Sequence, residues 1–83
     1  MTPYRIVIMK PARRFVERQP RSQQERLLKA IYRLPHDGDT KPLTRQTNVH
    51  RLRVGDYRVI YSIYDDVLTV EVLTVGNRGD VYK

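Results

Sequence analysis

Leu52-Arg53-Val54-Gly55-Asp56-Tyr57-Arg58-Val59-Ile60-Tyr61 is the stretch that decides how this chain folds. Apolar and polar residues alternate on both sides of Gly55-Asp56, the pattern of two half-buried strands joined by a two-residue turn. Glycine at the first turn position fits a type II′ hairpin, whose twist matches that of paired strands. Such a turn sets Val54 opposite Tyr57, Arg53 opposite Arg58 and Arg51 opposite Ile60. Opposed residues share a face and side chains alternate with period two, so Arg51, Arg53 and Arg58 are predicted to project from one side of the sheet.

Working outward, strands are expected over Asn48 to Val54, Tyr57 to Tyr64 and, after an Asp65-Asp66 turn, Val67 to Val75, ending at Gly76. This is a three-stranded meander. If Asp65-Asp66 is also a two-residue turn, the side away from the arginines carries His50, Leu52, Val54, Tyr57, Val59, Tyr61, Ile63, Leu68, Val70 and Val72. That side is almost wholly apolar and needs a cover, while Glu71 and Leu73 fall beside the arginines.

The cover lies upstream. Tyr4 to Met9 is a short β-branched run and reads as a strand; Pro11 then suits the first turn of a helix over Ala12 to Arg18, broken at Gln19-Pro20. Ser22 and Glu25 match a capping box, and Leu27, Leu28, Ile31 and Leu34 follow at helical spacing, predicting a helix over Ser22 to Leu34 before Pro35. Residues 36–47 are polar and turn-rich and read as a loop, with Leu43 as its anchor on the core. The fold class expected is α+β: a single small domain over residues 1–83, with an N-terminal strand and a two-helix hairpin packed on one face of an antiparallel sheet.

Composition sets the bounds on function. The 83 residues exclude a multidomain enzyme, and the absence of cysteine excludes disulfide staples, thiol nucleophiles and Cys-type zinc sites. No apolar run is long enough for a membrane span, and the first residues lack a signal-peptide core, so a cytoplasmic protein with no membrane contact is expected. The formal charge of +7 favours a polyanionic partner. Residues 1–33 carry nine cations against Glu17 and Glu25, whereas residues 34–83 carry seven of each sign. The N-terminal third therefore holds the whole excess.

Like charges opposed across strands, as at Arg53 and Arg58, cost stability. Arginine suits phosphate through its planar, permanently charged fork, and Tyr64 or Tyr82 offers a ring for base stacking. The plain alternative is a solvated face in which arginines protect strand edges and Glu71 neutralises part of the charge. Gly76 and Gly79 permit turns that bring Arg78 and Tyr82 back to the cluster, where surrounding cations would favour the tyrosine phenolate. Other chemistries are poorly served. His36 sits in a turn, His50 alternates with core residues, and His36-Asp37-Gly38-Asp39 reads as an Asx-type turn, so no metal is assigned. A Gly-rich phosphate loop and a G-x-S-x-G nucleophile are both absent.

At Leu52 to Tyr61, followed by Val75-Gly76-Asn77-Arg78 and Val81-Tyr82, the chain resembles the RelE/ParE superfamily of toxins from type II toxin–antitoxin systems, in particular its RelE-like mRNA interferases. The order strand, two helices, Pro-Leu loop, R-x-G-x-Y-R hairpin and G-x-R tail ending in V-Y covers nearly the whole sequence. The resemblance implies a metal-independent, cofactor-free endoribonuclease that enters the ribosomal A site and cleaves mRNA by attack of the message's own 2′-hydroxyl. Carried over residue by residue, Arg58 neutralises the scissile phosphate or assists the leaving oxygen, Arg78 stabilises the pentavalent charge, and Tyr82 acts as base or stacks. Arg51 and Arg53 stand near the family's basic strand positions; with Asn77, which stands where many relatives carry His or Lys, they complete the implied RNA-binding set. Implied partners are a cognate antitoxin, the ribosome with its rRNA, the mRNA and, through the antitoxin alone, operator DNA. Two other outcomes fit the same superfamily: a ParE-like inhibitor of DNA gyrase, and an inactive homologue acting in a repressor complex.

Overall fold

In a computed structural model describing residues 4–43 and 48–77, Gly55 turns the chain at φ +58° while Asp56 keeps a negative φ, which is the type II′ hairpin. The strands it joins are β3 (Val49–Val54) and β4 (Tyr57–Tyr64), paired Val54 with Tyr57, Arg53 with Arg58 and Arg51 with Ile60. The expected register is the observed one. They belong to a five-stranded sheet that also contains β1 (Arg5–Ile8), β2 (Asp39–Pro42) and β5 (Thr69–Asn77), in the order β1-β5-β4-β3-β2. β1 enters this sheet beside β5, and that pairing is parallel; the others are antiparallel.

β2 lies inside residues 36–47, which the sequence reading made a loop. Asp39-Thr40-Lys41-Pro42 has no apolar alternation to announce a strand, because all four residues are exposed on an outer edge. Lysine and proline there are what an edge strand carries to discourage pairing with other chains. Leu43, expected to anchor this segment, is 37% exposed and lies outside the core.

The β4–β5 connection also departs from expectation. Asp65–Val67 form a 3-10 turn and Leu68 follows at φ +47°, so the link is four residues long and Tyr64 pairs with Thr69. Leu68 is accordingly 44% exposed instead of facing the core. The lengthening shifts the register by two, which preserves side-chain parity and leaves Val70 and Val72 fully buried. A bulge at Ile60/Tyr61 then leaves Leu73 without an opposite residue, so Thr74 pairs with Ile60 and Val75 with Val59. The extra residue returns Val75 to the core.

Two helices cover that core: α1 (Lys10–Glu17) and α2 (Arg21–Ile31). α1 begins at Lys10, with Pro11 in its first turn, two residues before the expected start. The capping box does not form. Pro20 is the N-cap, Ser22 lies inside the first turn, and the Gln24 side chain ties the corner by donating to the Gln19 carbonyl at 2.8 Å. α2 ends at Ile31 and not Leu34, because Pro35 disfavours helix in the preceding residue; the chain tightens through Arg33 N–H to Ala30 O and Leu34 N–H to Ile31 O. Leu34 is still fully buried, beside Ala12, Val16, Leu27, Ile31, Leu52, Val59 and Tyr61.

Candidate nucleic-acid interface

The side of the sheet opposite the helices is built by alternation on three adjacent strands. β3 contributes Arg51 and Arg53, β4 contributes Arg58 opposite Arg53, and β2 adds Lys41 opposite Arg51 and Asp39 opposite Arg53. Lys41, Pro42, Leu43, Arg51, Arg53 and Arg58 line one open cleft of about 320 Å³. Four cations therefore converge where the hairpin register alone predicted three. Lys41 was missed because its strand was missed; its signal was the Lys-Pro pair of a protected edge.

Among the described residues, one carboxylate partly balances the charge in the cleft. Asp39 Oδ1 lies 4.0 Å from Arg51 Nη2, and its Oδ2 lies 4.0 Å from Arg53 Nε. Both distances exceed a hydrogen bond, so the hold is Coulombic. The Arg51 side chain is only 11% exposed, and its Nη1 is buried with no acceptor among the described residues. On the β5 side, Gly76 stands opposite Arg58 and presents no side chain there. Glu71, expected beside the arginines, instead opposes Ser62 further along the sheet, and Leu73 occupies the bulge. The two-residue lengthening of the β4–β5 turn and the bulge move both away.

Asn77 ends β5 opposite Tyr57, a register position of the other face, and is exposed. Arg78 and Tyr82 lie outside the described residues. Tyr64 shares the arginine face, but it is six residues from Arg58 along β4, about 20 Å at strand rise, and so is not part of the cleft.

The histidines are engaged elsewhere. His50 stacks on Tyr61 with centroids 5.6 Å apart, on the helix-covered side, and burial pushes its imidazole below the usual histidine range. Burial likewise raises the Tyr61 phenol, which also bonds to Thr40. His36 meets the Tyr4 ring edge-on at 5.5 Å, and Asp37 Oδ1 accepts the N–H of the very next residue, Gly38, at 2.8 Å, whereas the expected Asx-type turn bonds two residues on. Among the described residues no group of three His, Asp or Glu side chains is placed to hold a metal ion. None of the described helices is long and apolar enough to cross a membrane.

Residues 3–82 match the family model described as the ParE toxin of the type II toxin–antitoxin system parDE. No curated protein sequence matches the chain. Among solved structures, a chain of the toxin–antitoxin complex RelBE2 from Mycobacterium tuberculosis is 29% identical with a TM-score of 0.77, the match covering 93% of this chain and 100% of that one. A chain of the archaeal RelE–RelB complex from Pyrococcus horikoshii is 30% identical with a TM-score of 0.75, covering 96% of this chain and 99% of that one. The isolated RelE toxin of E. coli, 21% identical, shares the fold with a TM-score of 0.73 over 95% of this chain and 90% of its own.

Proposed function

Given that the chain belongs to the ParE toxin family of type II toxin–antitoxin systems, within the RelE/ParE superfamily, we propose that it is a ribosome-dependent endoribonuclease acting on mRNA in the A site. The observation that carries this reading is the convergence of Lys41, Arg51, Arg53 and Arg58 on one cleft of the sheet face opposite the helices. Cations on a rigid sheet suit a substrate whose recognisable feature is a line of phosphates, since phosphate contacts supply affinity and register.

The proposed chemistry is a transesterification. The 2′-oxygen attacks the adjacent phosphorus, the bond from phosphorus to the 5′-oxygen breaks, and the products are a 2′,3′-cyclic phosphate and a 5′-hydroxyl. The 2′-hydroxyl loses its proton to a base and the leaving 5′-oxygen gains one. Arg58 neutralises the scissile phosphate as negative charge builds on it, Arg51 and Arg53 hold flanking phosphates, and Arg78 and Tyr82 complete the site as charge stabiliser and base. Holding attacking oxygen, phosphorus and leaving oxygen in line supplies much of the rate, so placement on paired strands matters as much as charge. The partner is a protein antitoxin, supported by the two similar complexes, each of which pairs a toxin with its antitoxin.

A second reading is gyrase inhibition without RNA cleavage, favoured by the family model being that of ParE toxins. Primer extension on a defined message in a purified translation system, with and without ribosomes, separates the two. Endonuclease activity gives cuts at the A-site codon that require ribosomes and disappear in Arg58→Ala. No cuts, with loss of supercoiling activity by gyrase in the same preparation, would establish the ParE-like reading instead.

A further inference from the structure

Asp39 is a carboxylate set among cations by backbone pairing, since β2 and β3 align Asp39 with Arg53 and Lys41 with Arg51. It faces two guanidiniums at 4.0 Å each and hydrogen-bonds to neither within the usual range. Its side chain is 60% exposed, so an incoming anion can replace it without unpacking the core. Arg51 is the more constrained partner: Nη2 has the distant Asp39 carboxylate and Nη1 is buried without an acceptor among the described residues. Arg51 Nη2 and Arg53 Nε, which face Asp39 only at 4.0 Å, gain from an oxyanion that comes within hydrogen-bond distance.

We propose that Asp39 is a built-in competitor for phosphate, holding Arg51 and Arg53 in the free toxin until a backbone phosphate displaces it. This rests on the cleft being an RNA-phosphate site. A phosphodiester carries the same single negative charge as the carboxylate. Asp39 stays tethered to β2 and swings toward solvent, so binding adds one negative charge to the four-cation cleft while two long ion pairs give way to charge-assisted hydrogen bonds. The competitor raises the threshold for binding: a lone phosphate has to displace Asp39 for little return. A strand presenting successive phosphates to Lys41, Arg51, Arg53 and Arg58 recovers several contacts for the same displacement. Asp39 thus lowers both affinities alike, which leaves a weakly held free nucleotide unbound while a strand with several contacts still binds.

The test is fluorescence anisotropy with a short labelled 2′-O-methyl oligouridylate, which the enzyme cannot cut, titrated with wild type, Asp39→Asn, Arg51→Ala/Arg53→Ala, and the triple variant. Thermal melting checks each fold, and Asp39→Ala stands in if the asparagine variant fails to fold. Removing the competing charge is expected to tighten binding about tenfold at low salt, with the gain shrinking as salt rises. The gain should vanish when Arg51 and Arg53 are absent. Unchanged or weaker binding by Asp39→Asn overturns the proposal while leaving the cleft intact, provided wild type still loses binding on arginine removal. An equal gain in the double-arginine background also overturns it, because the effect is then a general loss of negative charge. Wild-type binding that ignores Arg51 and Arg53 refutes the phosphate-site reading itself, and this proposal with it.

Discussion

Replacing Gly55 with alanine tests whether the hairpin that aligns the arginines depends on backbone conformation at its tip. Gly55 sits at φ +58°, and a Cβ built on it would lie 2.8 to 2.9 Å from the guanidinium atoms Nη1, Cζ and Nη2 of Arg26 on α2. Two costs compete. Forcing an L-residue into this region costs about 2 kcal/mol. The contact with Arg26 involves the far end of an exposed, flexible side chain that can swing away, so it adds little. Against a total stability of roughly 4–12 kcal/mol for a chain of this size, a 2 kcal/mol loss is large. At about 4–8 °C per kcal/mol it lowers the melting temperature by roughly 8–16 °C. Circular dichroism melts of Gly55→Ala, Arg26→Ala and the double variant read this directly. Backbone strain predicts that Arg26→Ala rescues nothing. A melting temperature for Gly55→Ala within about 2 °C of wild type refutes the strain argument, and full rescue by Arg26→Ala assigns the cost to the side-chain contact.

Other outcomes follow from packing and burial. Leu27→Ala, at a fully buried position on α2, should cost about 2–5 kcal/mol by urea denaturation, since it removes apolar area and leaves a cavity. Tyr57→Phe removes the hydroxyl that donates to Gln19 Oε1 at 3.0 Å and should cost about 1 kcal/mol; no measurable loss would show water replacing that bond. His50 takes up its proton less readily when folded than unfolded, so from near pH 6.5 downward the unfolded chain binds more protons and stability falls. His50→Phe, which keeps the stack on Tyr61, should flatten the urea midpoint between pH 7.5 and 5.5; an unchanged slope would place the titration elsewhere.

The parts of the fold legible in the sequence are those fixed by neighbours close along the chain. Gly55-Asp56 dictates one hairpin register, and that register alone places Arg51, Arg53 and Arg58 together. Leu27 and Ile31 mark the buried face of α2 by their spacing. What was not legible depends on residues far apart. The strand Asp39–Pro42 owes its existence to pairing with β3, because Thr40 is its sole residue with strand propensity. The bulge at Leu73 reconciles a four-residue turn at one end of β5 with a buried Val75 at the other, and neither requirement is visible from the local alternation. Ser22 and Glu25 have the spacing of a capping box, yet Pro20 takes the N-cap and Gln24 closes the corner by reaching back to Gln19. Lys41 and Asp39, which complete the cleft, were hidden for the same reason as their strand.

The strand order also governs when the molecule can come into being. β1 is made first, yet its partner is β5, so Arg5 waits for Thr69 and Ile8 for Val72. Until residues 69–77 are synthesised, α1 has no β5 to pack against, β4 has an unpaired edge, and β1 has no strand to join. Pairings between distant parts of a chain are slow to form because the loop must close before any contact rewards it. The cationic face, though carried on β2 to β4, therefore becomes rigid only after the strand that divides β1 from β4 has been laid down. A nascent chain that stops short of β5 therefore has no complete sheet behind that face, and the sheet closes when β5 slots between β1 and β4.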